Sequence, residues 1–134
     1  MSAKEVATKV RSLLEERFSY ASDMAQYGVA EKWRNMAKLV RAKQAWQEDC
    51  DGYALSAACL AVEDFKYPEE KVWLVACTAE SGVGHLVCFI SDDKLTWVVD
   101  NRQRGIWSYK QLEGLGYTWL SALAIGADKW REVS

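Results

Sequence analysis

Over the first third of the chain apolar residues recur every three to four positions. Val6, Val10, Leu13, Leu14 and Phe18 form one stripe, with Lys4, Glu5, Lys9, Arg11, Glu15 and Glu16 largely off it, which predicts an amphipathic helix over residues 4–18. Residues 20–29 carry a serine, an aspartate and a glycine and read as a connection. A second helical pattern spans about residues 30–45, with Trp33, Met36, Ala37, Val40 and Gln44 inward and Lys32, Arg34, Lys38, Arg41 and Lys43 outward. Such a basic face is what a solvated surface helix shows. From Tyr53 to Val62 only Ser56 is polar, so this stretch is expected to be a helix in the middle of the core. It is far shorter than the roughly 20 residues that cross a bilayer.

Past Pro68, the only proline, the period changes from helical to alternating or continuously apolar. Residues 72–78, 85–91 and 96–100 are short, rich in Val, Trp, Phe and Ile, and predict strands covered on both sides. Residues 101–116 form a longer connection. Residues 117–124 and 129–133 predict two closing strands, turned at Gly126, Ala127 and Asp128. Helices followed by an antiparallel sheet give an α+β fold in which a buried helix bearing Cys50 packs on that sheet.

A chain of 134 residues is expected to form a single domain and can bury about two thirds of its unfolded surface without disulfides or metal. With 27% charged residues, seven Trp and a formal charge of -2, it has the profile of a filled core and carries no broad nucleic-acid or anionic-membrane footprint. Charges interrupt the first 19 residues, no secretory signal is visible, and a cytoplasmic location is the default expectation. Cys50, Cys59, Cys77 and Cys88 lack metal-ligand spacing, so reduced thiols and no structural zinc are expected.

Cys50 opens the central helix. Backbone N–H groups and the helix dipole favour an anion there and can lower a thiol pKa, which makes Cys50 the candidate nucleophile. The other reading of the same residue is an ordinary buried thiol. A thiol hydrolase also needs an imidazole and a group to orient it. His85 is the only histidine, and it stands at the start of a strand after the flexible Gly82-Val83-Gly84. If Asp92 and Asp93 make a two-residue hairpin loop, His85 lies directly opposite Asp100; a four-residue loop leaves the two diagonal but on one face. Glu48, Asp49 and Asp51 surround the thiol. They are either helix caps and solvated acids or oxygen ligands of the kind that suit calcium.

The segments Glu48-Asp49-Cys50-Asp51-Gly52-Tyr53, Gly84-His85-Leu86-Val87 and Trp97-Val98-Val99-Asp100-Asn101 resemble, in order and spacing, the bacterial transglutaminase-like cysteine proteinase family. Tyr117 and Trp130 resemble its closing strands. The resemblance implies a papain-like or transglutaminase-like core, with Cys50 as nucleophile, His85 as base and Asp100 as orienting acid. Relatives release surface adhesins and bind calcium near the cysteine. By position, Asp49 and Asp51 match the acids used there, while Gly52 stands where the family usually has an acid and Glu48 where it usually has glycine. A compact cytoplasmic or phage-encoded relative also fits.

The expected chemistry is acyl transfer through a thioester on a protein or peptide substrate, with the Cys50 N–H, and more weakly Gln47, stabilising the oxyanion. No cofactor is required by this scheme, calcium being the one candidate. Water as second substrate makes a peptidase or amidase, and a lysine amine makes a transglutaminase. The rival class is a non-catalytic assembly domain that keeps this core, with Arg104, Trp107 and Tyr109 as contact surface. Neither a nucleic-acid nor a membrane partner is expected, and the oligomeric state stays open.

Overall fold

The computed structural model describes residues 1–20, 37–127 and 129–133, without the side chain of Trp46. The expected connection beyond Tyr20, the start of the second helix with Lys32, Trp33, Arg34 and Met36, and Asp128 of the expected turn lie outside the described residues.

Helix α1 (Ala3–Glu15) is capped by Ser2, whose hydroxyl accepts the Glu5 N–H, and it buries Ala3, Val6, Ala7, Val10 and Leu14. The buried stripe follows the 3.6-residue period of the sequence. Phe18, expected on the same helix, instead begins strand β1 (Phe18–Tyr20) and sets its ring edge-on to Tyr53, 4.9 Å between centroids. In helix α2 (Ala37–Arg41) Ala37 and Val40 face inward as expected. Gln44 does not: Lys43, at φ 57°, turns the chain outward and leaves Gln44 exposed. On the basic face of α2, Arg41 pairs with Asp64 at 2.7 Å, and just beyond the helix Lys43 pairs with Glu16 at 2.8 Å. Strand β2 (Trp46–Glu48) runs parallel to β1. Two three-residue strands carry too little periodicity to be read from sequence.

Helix α3 (Cys50–Cys59) follows at once and continues into a wider turn, Leu60–Asp64, closed by the Phe65 N–H on the Leu60 carbonyl at 3.2 Å. Its Gly52, Tyr53, Ala54, Ser56, Ala57 and Ala58 are buried, and it packs against β3, β4, α1 and α2. Alanines on most sides allow all four elements to approach it closely, as expected of a helix apolar around its circumference.

The main sheet has six antiparallel strands in the order β6-β5-β4-β3-β7-β8: β3 (Val72–Thr78), β4 (Gly84–Ser91), β5 (Thr96–Val99), β6 (Trp107–Ser108), β7 (Thr118–Ala124) and β8 (Arg131–Glu132). One core joins the sheet to α1 and α3 through Leu74, Leu86, Cys88, Ile90 and Val99. A second, around Val75, Val87, Val98, Leu112, Tyr117 and Trp119, includes residues of helix α4 (Tyr109–Gly114). This is why the strands read as apolar on both faces. The expected connection 101–116 contains β6 and α4, started by a capping box in which Ser108 accepts the Gln111 N–H and the Gln111 side chain accepts the Ser108 N–H.

The β4–β5 register decides the geometry around His85. Ser91 pairs with Thr96 and Cys88 with Val99, so the loop is four residues and the two-residue alternative is corrected. Asp92 causes this: its Oδ1 accepts both the Lys94 and Leu95 N–H groups at 2.8 Å, and its own N–H donates to the Leu95 carbonyl at 3.0 Å. His85 and Asp100 are therefore diagonal on one face, within reach of long or ring side chains.

Candidate active site

Cys50 is the first residue of α3, and Asp49 is its N-cap. The Asp49 carboxylate accepts the Asp51 N–H at 3.1 Å and the Gly52 N–H at 3.3 Å. Such a cap is worth about 1 kcal/mol to a helix. It also means that the positive end of the helix is already answered by a carboxylate, so less of it acts on the thiol. Burial, followed by the charge of Asp51 and the Leu86 N–H pulling the other way, leaves the Cys50 thiol pushed up to about 12, with Asp49 adding to the rise. The thiol lies 3.6 Å from Asp51 Oδ1. The lowered pKa expected from helix position alone is thus reversed by burial and neighbouring acids.

The imidazole side is built differently. His85 Nε2 lies 2.6 Å from Asp100 Oδ1, with both side chains buried. Asp100 Oδ1 also accepts the Arg102 N–H at 2.9 Å, and its Oδ2 accepts the Tyr117 hydroxyl at 2.7 Å. Burial works against the Asp100 charge, but the His85 hydrogen bond and charge, the Arg102 N–H and the Tyr117 hydroxyl outweigh it and hold the carboxyl below its ordinary range. An ionised carboxylate can only accept, so Nε2 carries a proton toward it, and in the neutral ring Nδ1 is the acceptor nitrogen. Tyr117 is held in turn by the Gln103 side chain at 3.1 Å, and the Gln103 carbonyl accepts from Arg11 of α1 at 2.9 Å. Sequence reading placed Tyr117 only in a closing strand; its link to Asp100 comes from the tertiary fold.

Two clefts meet at Cys50, Gly84 and His85. The larger, about 480 Å³, is also lined by Asp51, Cys77, Leu120, Ser121 and Trp130. The other, about 370 Å³, is lined by Phe18, Tyr20, Val83, Asn101 and Arg102. Leu120 reaches its cleft because β7 is bulged: Ser121 pairs with Ala76 and Trp119 with Cys77, which leaves Leu120 as the extra residue, 48% exposed. No period in the sequence announces a bulge. Gln47 is not brought to this site: it sits in the β1–β2 ladder opposite Ser19, is exposed, and lines neither cleft. Of the other cysteines, Cys77 and Cys88 are buried, whereas Cys59 is half-buried beside Glu63 with Arg41 Nη2 at 3.7 Å.

A helix led by a cysteine, packed on an antiparallel sheet that brings histidine and aspartate together beside it, defines the transglutaminase-like class of thiol proteins. The match is specific, for the family model of the bacterial transglutaminase-like cysteine proteinases (BTLCP) covers residues 2–134, and the chain belongs to that family. Among solved structures it resembles LapG of Legionella pneumophila at 14% identity, with TM-score 0.69 over 97% of this chain and 68% of that one. The calcium-bound form of the same protein gives TM-score 0.73 over 96% and 68%, and the EGTA-treated form 0.70 over 98% and 67%, each again at 14% identity. A search of curated proteins finds no match.

Because one of these neighbours is a calcium-bound form, the acids of α3 invite the question of fit. Calcium takes six to eight oxygens at about 2.3–2.6 Å. Asp49 Oδ1 already serves two N–H groups, Asp51 Oδ1 lies against the thiol, and position 52 is a glycine with no side-chain oxygen to offer. Among the described residues no group of three or more His, Cys, Asp or Glu could hold a metal ion. These donors do not fit calcium. Also among the described residues, no helix is long and apolar enough to cross a membrane.

Proposed function

We propose that this chain is a cysteine peptidase acting by acyl transfer, with Cys50 as nucleophile, His85 as general base and acid, and Asp100 as the group that positions His85. The observation that carries this reading is the 2.6 Å contact of His85 Nε2 with buried Asp100, on a histidine that lines the same cleft as Cys50. Membership of a cysteine proteinase family supports it.

Substrate enters with the thiol protonated. His85 Nδ1 takes the Cys50 proton as sulfur attacks the peptide carbonyl carbon, and the carbonyl electron pair moves to oxygen. The Asp49 cap takes the N–H groups of Asp51 and Gly52, which leaves the Cys50 N–H at the head of α3 to meet the oxyanion. As the tetrahedral centre collapses, the C–N bond breaks and the imidazolium proton passes to the leaving amine, giving a thioester and a free amine. His85 then deprotonates a water that attacks the thioester. The C–S bond breaks, the carboxylic acid departs, and the proton returns to sulfur. Throughout, Asp100 accepts from Nε2 and stabilises the imidazolium, as an orienting carboxylate does without itself becoming protonated.

The test is a mixed peptide library incubated with the protein, quenched in acid and analysed by mass spectrometry. An acyl adduct on Cys50, newly formed carboxyl termini, and the loss of both in Cys50→Ala are expected. Hydrolysis that survives Cys50→Ala, or an adduct on Cys59, Cys77 or Cys88 in its place, would sink the assignment. With a primary amine added, amide products in place of free acids would make the second step amine transfer.

A further inference from the structure

Glu48 and Gly52 interlock. Glu48 is fully buried, and a Cβ placed on Gly52 would come within 1.7 Å of Glu48 Cγ and 2.4 Å of its carboxyl carbon, where real Cβ contacts stay above 3.0 Å. Gly52 is not among the glycines with positive φ, which are Gly82, Gly116 and Gly126. What glycine supplies at position 52 is therefore room, not backbone freedom. Any side chain there would displace Glu48, and Glu48 can lie there only because position 52 has none.

The interlock bears on calcium. The Glu48 side chain fills the space next to the helix start that a ligand at position 52 would need. Asp49 gives its Oδ1 to the helix N–H groups, and its backbone N–H donates to Glu48 Oε1 at 3.3 Å. The first turn of α3 is thus held by its own side chains and amides. We propose that the Glu48–Gly52 pair takes the place of a divalent cation in fixing this turn, and that the chain sets its thiol geometry without calcium. This goes beyond the peptidase reading and concerns the metal requirement of the fold around Cys50.

Thermal unfolding and peptide-resolved iodoacetamide alkylation of Cys50 test it, in calcium at about 5 mM, above the range of weak protein calcium sites, and in EGTA. For the native chain the unfolding midpoints are expected to agree within about 2 °C, and the alkylation rates within about twofold. A larger rise in midpoint with calcium overturns the proposal. The exchange variant Glu48→Gly/Gly52→Asp returns a carboxylate to position 52 and opens the space beside it, and is expected to gain a calcium-dependent rise above about 2 °C. A folded exchange variant that stays indifferent to calcium overturns the role given to the pair. Should the exchange not fold, Gly52→Ala is expected to unfold several degrees below Glu48→Ala/Gly52→Ala, and the reverse order overturns the interlock. Neither readout uses a substrate, so the result stands apart from whether the chain hydrolyses peptides.

Discussion

Cys50 and His85 line one cleft, yet their surroundings have opposite electrostatic character. On the sheet side a buried carboxylate kept ionised by three donors waits beside the imidazole, an arrangement suited to holding a cation. On the helix side Asp51 and Asp49 flank the sulfur and disfavour an anion there, in addition to burial. The sheet side is ready before substrate arrives; the helix side is not. Under the proposed mechanism, this contrast corresponds to a resting neutral thiol whose proton moves to His85 in step with attack on the carbonyl.

The largest effect expected is on the reacting atoms. Cys50→Ala and His85→Ala should each lower peptide hydrolysis by about 10⁶-fold, with near-UV circular dichroism unchanged. Next comes Asp100→Ala, at about 10⁴-fold in kcat, since Nε2 loses its acceptor and the ring its fixed tautomer. This variant also tests the carboxyl through stability. Because the Asp100 pKa is lowered on folding, its contribution is present above the ordinary carboxyl value of 3.8 and is lost as pH falls below it. Acid unfolding below about pH 4 should therefore be steeper in the native chain than in Asp100→Ala. Equal acid profiles would deny Asp100 its place in the ionised network.

The order of Cys50, His85 and Asp100 was legible because each stands at the start or end of a strongly patterned element, where periodicity and turn residues are informative. The hairpin register was not, because it depends on whether the Asp92 side chain turns back on its own loop. Helix α4 could have been found: Ser108 followed three residues later by Gln111 is a capping-box spacing, hidden by the short run after it. Gln47 was misplaced because residue type near a nucleophile does not say which way a two-strand ladder turns it. Tyr117 gave no local sign, since its partner Asp100 lies 17 residues away in sequence and they meet only through the sheet. Positions on patterned elements were readable; the Asp92 turn, the charge around the thiol and the Tyr117 contact were not.

Tyr117→Phe sharpens the sheet side of the comparison. It keeps the ring that packs on Trp119, at 5.6 Å between centroids, and removes the hydroxyl that donates to Asp100. A hydrogen bond to a charged group is worth about 1.5–3 kcal/mol, and part of that is expected in positioning His85. A loss of about tenfold in kcat with KM unchanged should follow. Without this donor the Asp100 pKa rises, so the loss of stability on acidification begins at higher pH. Loss of activity with an unmoved acid unfolding transition would make Tyr117 a packing residue only.

The smallest effect tests the helix side directly. Asp51 is the second cause of the raised Cys50 pKa, after burial, and Asp51→Asn removes its charge while keeping its shape. Burial remains, so the thiol should still titrate above its usual value of 9.0 but below the native value of about 12. One pKa unit is a tenfold change in thiolate fraction, and a partial shift should raise iodoacetamide alkylation of Cys50 at about pH 9 by roughly three- to tenfold. The companion measurement is the native chain at neutral pH. Fast alkylation there that collapses in His85→Ala would mean a thiolate already paired with an imidazolium at rest. Slow alkylation at neutral pH, together with acceleration in Asp51→Asn, would mean that the acids of α3 hold the sulfur protonated until a carbonyl is in place to receive it.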